Sequence, residues 1–125
     1  MAESNLILKL FRNKEGTPFT AGQTIVEAGT KGTTMYVVLE GEVEVRLGNT
    51  ELAVNGPGSI FGEMALIDDD PRSATVIAKT DCRLVEIDRR RFEFMVSETP
   101  FFALAVMRIM ADRLRKTNAR VGPAS

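Results

Sequence analysis

Between residues 18 and 87 the apolar positions fall in short runs and alternations rather than at helical spacing. Val43-Glu44-Val45-Arg46-Leu47 alternates apolar with polar side chains, the period-two signature of a strand with one buried face. Met35-Tyr36-Val37-Val38-Leu39 precedes it across Glu40-Gly41-Glu42, so the stretch predicts two strands joined by a turn. Thr75-Val76-Ile77-Ala78 and Arg83-Leu84-Val85-Glu86-Ile87 predict two more around Lys79-Thr80-Asp81. Glycines recur at 22, 29, 32, 41, 48, 56, 58 and 62. Short strands punctuated by glycine turns predict an antiparallel sandwich or barrel, with a jelly roll as the natural topology.

After Ile87 the period changes to that of helices. Asp88 is placed to N-cap a short helix over about 89–97, because its carboxylate accepts from first-turn N–H groups. Thr99-Pro100 then sets a capping hydroxyl before a proline at the first helical position, and a long helix over about 100–118 follows, ended by Gly122-Pro123. Two stripes run along it. Phe102, Ala105, Val106 and Ile109 recur at steps of three and four and are expected to face the barrel. Ala103, Met107, Met110, Leu114, Thr117 and Val121 step by 4, 3, 4, 3 and 4, a heptad-like seam that predicts a homodimer through the C-terminal helix, the alternative being a single wide stripe that closes the barrel mouth. The segment from Leu6 to Phe11 fits a strand or a helix. The expected fold class is therefore α+β: an antiparallel β jelly-roll barrel over about 18–87, followed by C-terminal helices, in one domain over 1–125.

Composition narrows the chemistry. Sixteen basic and 17 acidic residues leave a net charge of -1, so no broad positive field exists and no nucleic-acid partner is expected. There is no histidine, which removes Ser-His-Asp triads, His-ligated metals and the metal-dependent enzymes of cupin type built on similar barrels. The single Cys82 excludes an internal disulfide and suits a reduced, cytoplasmic setting. No apolar run reaches the roughly 18 residues of a membrane span, and the charged N-terminus does not read as a secretory signal, so no membrane partner is expected. Asp68-Asp69-Asp70 lacks cation-loop spacing and reads as a solvated loop; no metal site is expected. Arg89-Arg90-Arg91 reads as a helix surface.

The segment over 61–76 carries the candidate chemistry. Phe61-Gly62-Glu63-Met64-Ala65-Leu66-Ile67 predicts a short helix inserted between strands, with the N–H groups of 63–66 turned toward an anion. Pro71-Arg72-Ser73-Ala74-Thr75-Val76 follows the acidic loop. Arg72 offers a planar fork that matches two phosphate oxygens, and Ser73 adds a hydroxyl and an N–H. Glu63 only accepts at neutral pH, so it suits a sugar hydroxyl rather than a phosphate. One cation, several N–H donors and one carboxylate together describe a site for a ribose joined to a phosphate.

These residues resemble the phosphate-binding cassette of the cyclic nucleotide-binding domain family, which includes bacterial cAMP receptor transcription regulators, kinase regulatory subunits and gated channels. The resemblance runs from Phe19-Thr20-Ala21-Gly22 through Glu27-Ala28-Gly29 and Met35-Tyr36-Val37-Val38 to Arg113-Leu114, most of the chain. It implies that Arg72 binds the cyclic phosphate and Glu63 the ribose 2′-hydroxyl, while Gly62, Met64, Ala65, Ser73 and Ala74 line phosphate and ribose, partly through backbone. It places Val45, Leu52 and Phe61 against the base. Thr117 and Asn118 stand where the bacterial regulators carry a hydroxyl pair facing the adenine amino group, with Asn118 departing from the usual serine. The implied ligand is cAMP, with cGMP as the alternative, and no catalytic residue or cofactor is expected. No helix-turn-helix module is read after the long helix. The expectation is a non-enzymatic sensor acting on an unknown protein partner, or a regulatory fragment of a larger channel, kinase or transcription regulator. The other class is an interaction domain of the same fold that binds no nucleotide. Members that have lost the nucleotide usually lose the Arg or the Glu, and both are present here.

Overall fold

The structure, a computed structural model, describes residues 2–68 and 70–121, with side chains described over 5–68 and 70–116. The alternating segments form β3 (Thr34–Glu40), β4 (Val43–Leu47), β7 (Thr75–Ala78) and β8 (Cys82–Asp88), as expected. Four further strands had no predicted bounds: β1 (Thr17–Phe19), β2 (Thr24–Val26), β5 (Thr50–Asn55) and β6 (Ile60–Phe61). Two antiparallel sheets of four result, ordered β1-β8-β3-β6 and β2-β7-β4-β5. The expected closed barrel is corrected to an open two-sheet arrangement. Among the described residues the strands β1, β2, β5 and β6 each pair on one side only, so no ladder passes from one sheet to the other.

The strands β3 and β8 pair along their length, with Val37 opposite Val85 and Val38 opposite Leu84. Both faces of this pair are buried, because it forms a middle layer. Val38, Cys82 and Leu84 join Val43, Phe61, Val76 and Ala78 in a core between the sheets. Met35, Val37, Val85 and Ile87 point the other way, into a second core against the helices. Burial on both faces is the physical reason that β3 reads as a continuous apolar run while β4 alternates.

Three helices cover the outer core. The ambiguous N-terminal segment is helical, α1 over Ala2–Phe11, with Ile7 and Phe11 fully buried. The helix α2 spans Arg89–Glu98, and its cap is the expected one: Asp88 Oδ1 accepts from the Arg91 N–H at 2.8 Å. The helix α3 spans Pro100–Val121, longer than expected. Its first turn closes through the Thr99 backbone carbonyl, which accepts from the Phe102 N–H at 2.8 Å, rather than through the threonine hydroxyl. The expected Gly122-Pro123 stop lies outside the described residues. Phe102, Ala105 and Val106 are buried as the inner stripe requires, and Met110 of the second stripe is half-buried against this core. The Phe102 ring meets Phe11 at 5.8 Å and Phe92 at 5.5 Å, both edge-on, so one aromatic joins all three helices. Among the described residues no single helix is long and apolar enough to cross a membrane.

Candidate functional site

The chain leaves β6 through Gly62, whose φ of 79° is left-handed, and enters one 3-10 turn over Glu63–Leu66. A left-handed φ is strained for any residue with a Cβ, so glycine is required there. The turn is shorter than the helix expected from the sequence. Its Ala65 N–H donates back to the Gly62 carbonyl at 3.1 Å, which removes one of the N–H groups expected to face an anion.

The loop after the turn is laced onto the β2–β3 connection by its backbone. The Arg72 N–H donates to the Thr30 carbonyl at 2.7 Å, and the Gly29 N–H donates to the Arg72 carbonyl at 2.8 Å. The guanidinium is then gripped by two carbonyls. Its Nη2 donates to Thr34 at 2.8 Å and its Nη1 to Gly62 at 3.3 Å. Two of its five N–H donors are thereby engaged.

A cavity of about 700 Å³ lies between the cassette, the end of the sandwich and α3. Gly62, Glu63, Met64, Ala65, Arg72, Ser73 and Ala74 all line it, and so do Val45, Leu52 and Phe61. Ten of the residues that the family resemblance singles out therefore border one cavity. The side chains of Thr117 and Asn118 lie outside the described residues. Phe61 is held flat against Tyr36, with ring centroids 4.9 Å apart and planes 14° off parallel. Burial, then the charge of Glu86, pushes the Tyr36 hydroxyl above its ordinary pKa, and the Arg72 cation pulls the other way.

Several lining residues had no assigned role. Ala53, Asn55 and Ser59 border the cavity near β5 and β6. From α3, beyond Ile109 of the inner stripe, come Asp112, Arg113 and Lys116, spaced at three and four residues on the same helix face. Continuing the inner stripe past Ile109 at the same step would have found them. Arg113 matters most. Its Nη1 donates to Glu63 Oε1 at 3.0 Å, and its Nη2 donates to the Ile60 carbonyl. The Glu63 side chain is only 13% exposed, so this ion pair ties α3 to the cassette from within the fold. Asp68 and Asp70 also border the cavity, with the Asp70 N–H on Asp68 Oδ1 at 3.0 Å. Among the described residues no three His, Cys, Asp or Glu side chains gather to hold a metal. Arg72 at one place, the Arg113-paired Glu63 at another and the apolar Val45, Leu52 and Phe61 fit a ligand with an anionic group, a hydroxyl and a flat apolar ring, while Asp68, Asp70, Asp112 and Lys116 add charge at the rim.

Residues 17–99 match the family model of the cyclic nucleotide-binding domain. The chain is 27% identical over 121 residues to the CRP-like cAMP-activated global transcriptional regulator of Mycobacterium tuberculosis, an alignment covering 93% of this chain and 54% of the relative. It thus spans about half the length of that curated relative. Its fold is similar to the catabolite activator protein of Thermus thermophilus, with a TM-score of 0.77, 31% identity, and coverage of 96% of this chain and 57% of that one. A solved structure described as "A cyclic-GMP-dependent signalling pathway regulates bacterial phytopathogenesis" matches with a TM-score of 0.76 and 31% identity, covering 93% of this chain and 94% of that one.

Proposed function

The chain belongs to the cyclic nucleotide-binding domain family, and from that premise we propose that it is a non-catalytic sensor of a purine 3′,5′-cyclic monophosphate, cAMP first. The observation that carries the reading is that Arg72 and Glu63 line one cavity while α3 closes on the same carboxylate through Arg113. In this reading the cyclic phosphate takes the remaining donors of Arg72 together with Ser73. The ribose 2′-hydroxyl donates to Glu63, and the base lies against Val45, Leu52 and Phe61. The 2′-hydroxyl and Arg113 both bond Glu63, so ligand entry changes what holds α3. A ligand shifts a helix only by binding one of its positions better, and this shared carboxylate supplies that difference. The helix then changes its contact with a protein partner or a second copy of the chain. We place this action in the cytoplasm.

The preference for cAMP rests on Thr117 and Asn118 and on likeness to a regulator named as cAMP-activated. The likeness to a structure described by cyclic-GMP-dependent signalling makes cGMP the necessary comparison. Isothermal calorimetry with both nucleotides tests the reading. Saturable binding of cAMP, tighter than that of cGMP, is the expected result. Binding of neither would leave an interaction domain without a nucleotide. A tenfold preference for cGMP would overturn the choice of base and retain the sensor.

A further inference from the structure

Gly32 lies in the connection between β2 and β3, outside the cassette. Its φ is not among the left-handed ones, so its backbone is open to any residue. What singles it out is space. An added Cβ would stand 2.2 Å from Arg72 Nη2, 2.3 Å from Nε and 2.5 Å from Cζ. Those distances are far inside van der Waals contact, and all three atoms belong to one guanidinium. At Gly41, by contrast, an added Cβ meets Cys82 and the Asp81 carbonyl, a matter of strand packing alone. On its other side the guanidinium lies against Gly62, where an added Cβ would stand 2.6 Å from Nη1.

We propose that Gly32 is a positioning residue for Arg72: its missing side chain is the seat that lets the fork reach the Thr34 and Gly62 carbonyls with donors left over for an anion. This rests on the reading of Arg72 as the phosphate-binding residue. A methyl group at position 32 displaces the guanidinium sideways. The displaced fork loses its bond to Thr34, made at 2.8 Å, and with it the aim of its other donors. Arginine tolerates such displacement poorly as a ligand, because its specificity comes from a planar geometry held in place.

The test is a double-mutant cycle read by calorimetry with cAMP, with circular dichroism melting on every variant. Gly32→Ala is expected to weaken binding at least about tenfold, the scale of one charge-assisted hydrogen bond. In the Arg72→Ala background the same change is expected to alter affinity less than about twofold, because its effect passes through the missing side chain. Equal losses in both backgrounds would show that Gly32 only supports its loop, and would overturn the proposal. Unchanged or tightened binding by Gly32→Ala in the native background would overturn it as well. Absence of nucleotide binding by the native protein would sink the sensor reading instead. A second measurement then decides Gly32 without ligand. In nitrogen NMR of the nucleotide-free native chain, the two Nη atoms of Arg72 are expected to give separate signals that merge in Gly32→Ala. Merged signals in the native protein, or no change in the variant, would overturn the seat.

Discussion

At Arg72 the backbone and the side chain have separate consequences. The backbone laces two loops through Gly29 and Thr30, whereas the guanidinium donates to the carbonyls of Thr34 and Gly62. Arg72→Ala therefore keeps the lacing and removes the fork. Losing one partner of a buried charge pair costs roughly 2–5 kcal/mol, so cAMP affinity should fall by about two decades or more at unchanged circular dichroism. Unchanged affinity by calorimetry would remove the assignment. Arg72→Lys should recover only part of the loss, because an ammonium lacks the bidentate geometry. Glu63 is read by a ligand change rather than by a mutation alone. The native protein should bind 2′-deoxy-cAMP more weakly than cAMP, and Glu63→Ala should bind the two about equally. A native protein that does not separate them would leave Glu63 as the anchor of Arg113 and nothing more. The residues of this site were legible in unequal degree. Glu63 and Arg72 sit nine positions apart in one segment, and local chemistry is enough to pair them. Gly32 and Arg113 reach the same groups from distant positions: the helical step past Ile109 puts Arg113 on the inner face of α3, but only the folded chain shows that it meets Glu63, and nothing in the sequence marks Gly32.

At the scale of elements, legibility followed length and environment. The strands β4 and β8 carry enough residues to show a pattern, and Asp88 marked the start of α2 by its own chemistry. The strands β1, β2 and β6 have three, three and two residues, too few for any period, and are fixed by their neighbours. The helix α1 was ambiguous because Leu6 to Phe11 is too short to separate one period from the other. Its place is decided by Ile7 and Phe11, which α3 and β3 bury. The structure also separates the two cores in a testable way. Phe102 belongs to the helix-side core and not to the one between the sheets. Phe102→Ala should cost about 3–5 kcal/mol of stability, the range for a buried aromatic truncated to alanine. Hydrogen exchange should rise in α1, α2 and α3 before it rises in β4 and β7. Uniform loosening of both sheets and helices would show that the two cores open as one unit.

At the scale of the whole molecule the open question is what α3 does with its outer face. A helix on a single domain needs one apolar stripe, and α3 already buries Phe102, Ala105 and Val106. It still exposes Phe101, Leu104, Met107 and Leu114, the last two at 56% and 62%. Of the heptad seam expected from the sequence, Met110 is half-buried against the helix-side core, and Met107 and Leu114 lie on the surface two turns apart. Arg108 and Arg115 flank these positions, so the stripe is bordered by charge as a dimer seam is. The proposed homodimer packs two such stripes against each other. Little more than two heptads is short for an independent coiled coil, so the association should be weak and should draw on neighbouring surfaces. Because α3 is also tied to Glu63 through Arg113, a ligand that competes for Glu63 should alter the dimer constant. Sedimentation equilibrium at micromolar concentration, with and without cAMP, is the measurement. The native chain should dimerise with a constant that cAMP changes. Leu114→Glu should be monomeric, because it places facing carboxylates at the centre of the seam at a side chain that is itself outside the cavity lining. A native chain that is monomeric in both conditions would sink the seam, and would leave α3 to act on a partner of a different kind.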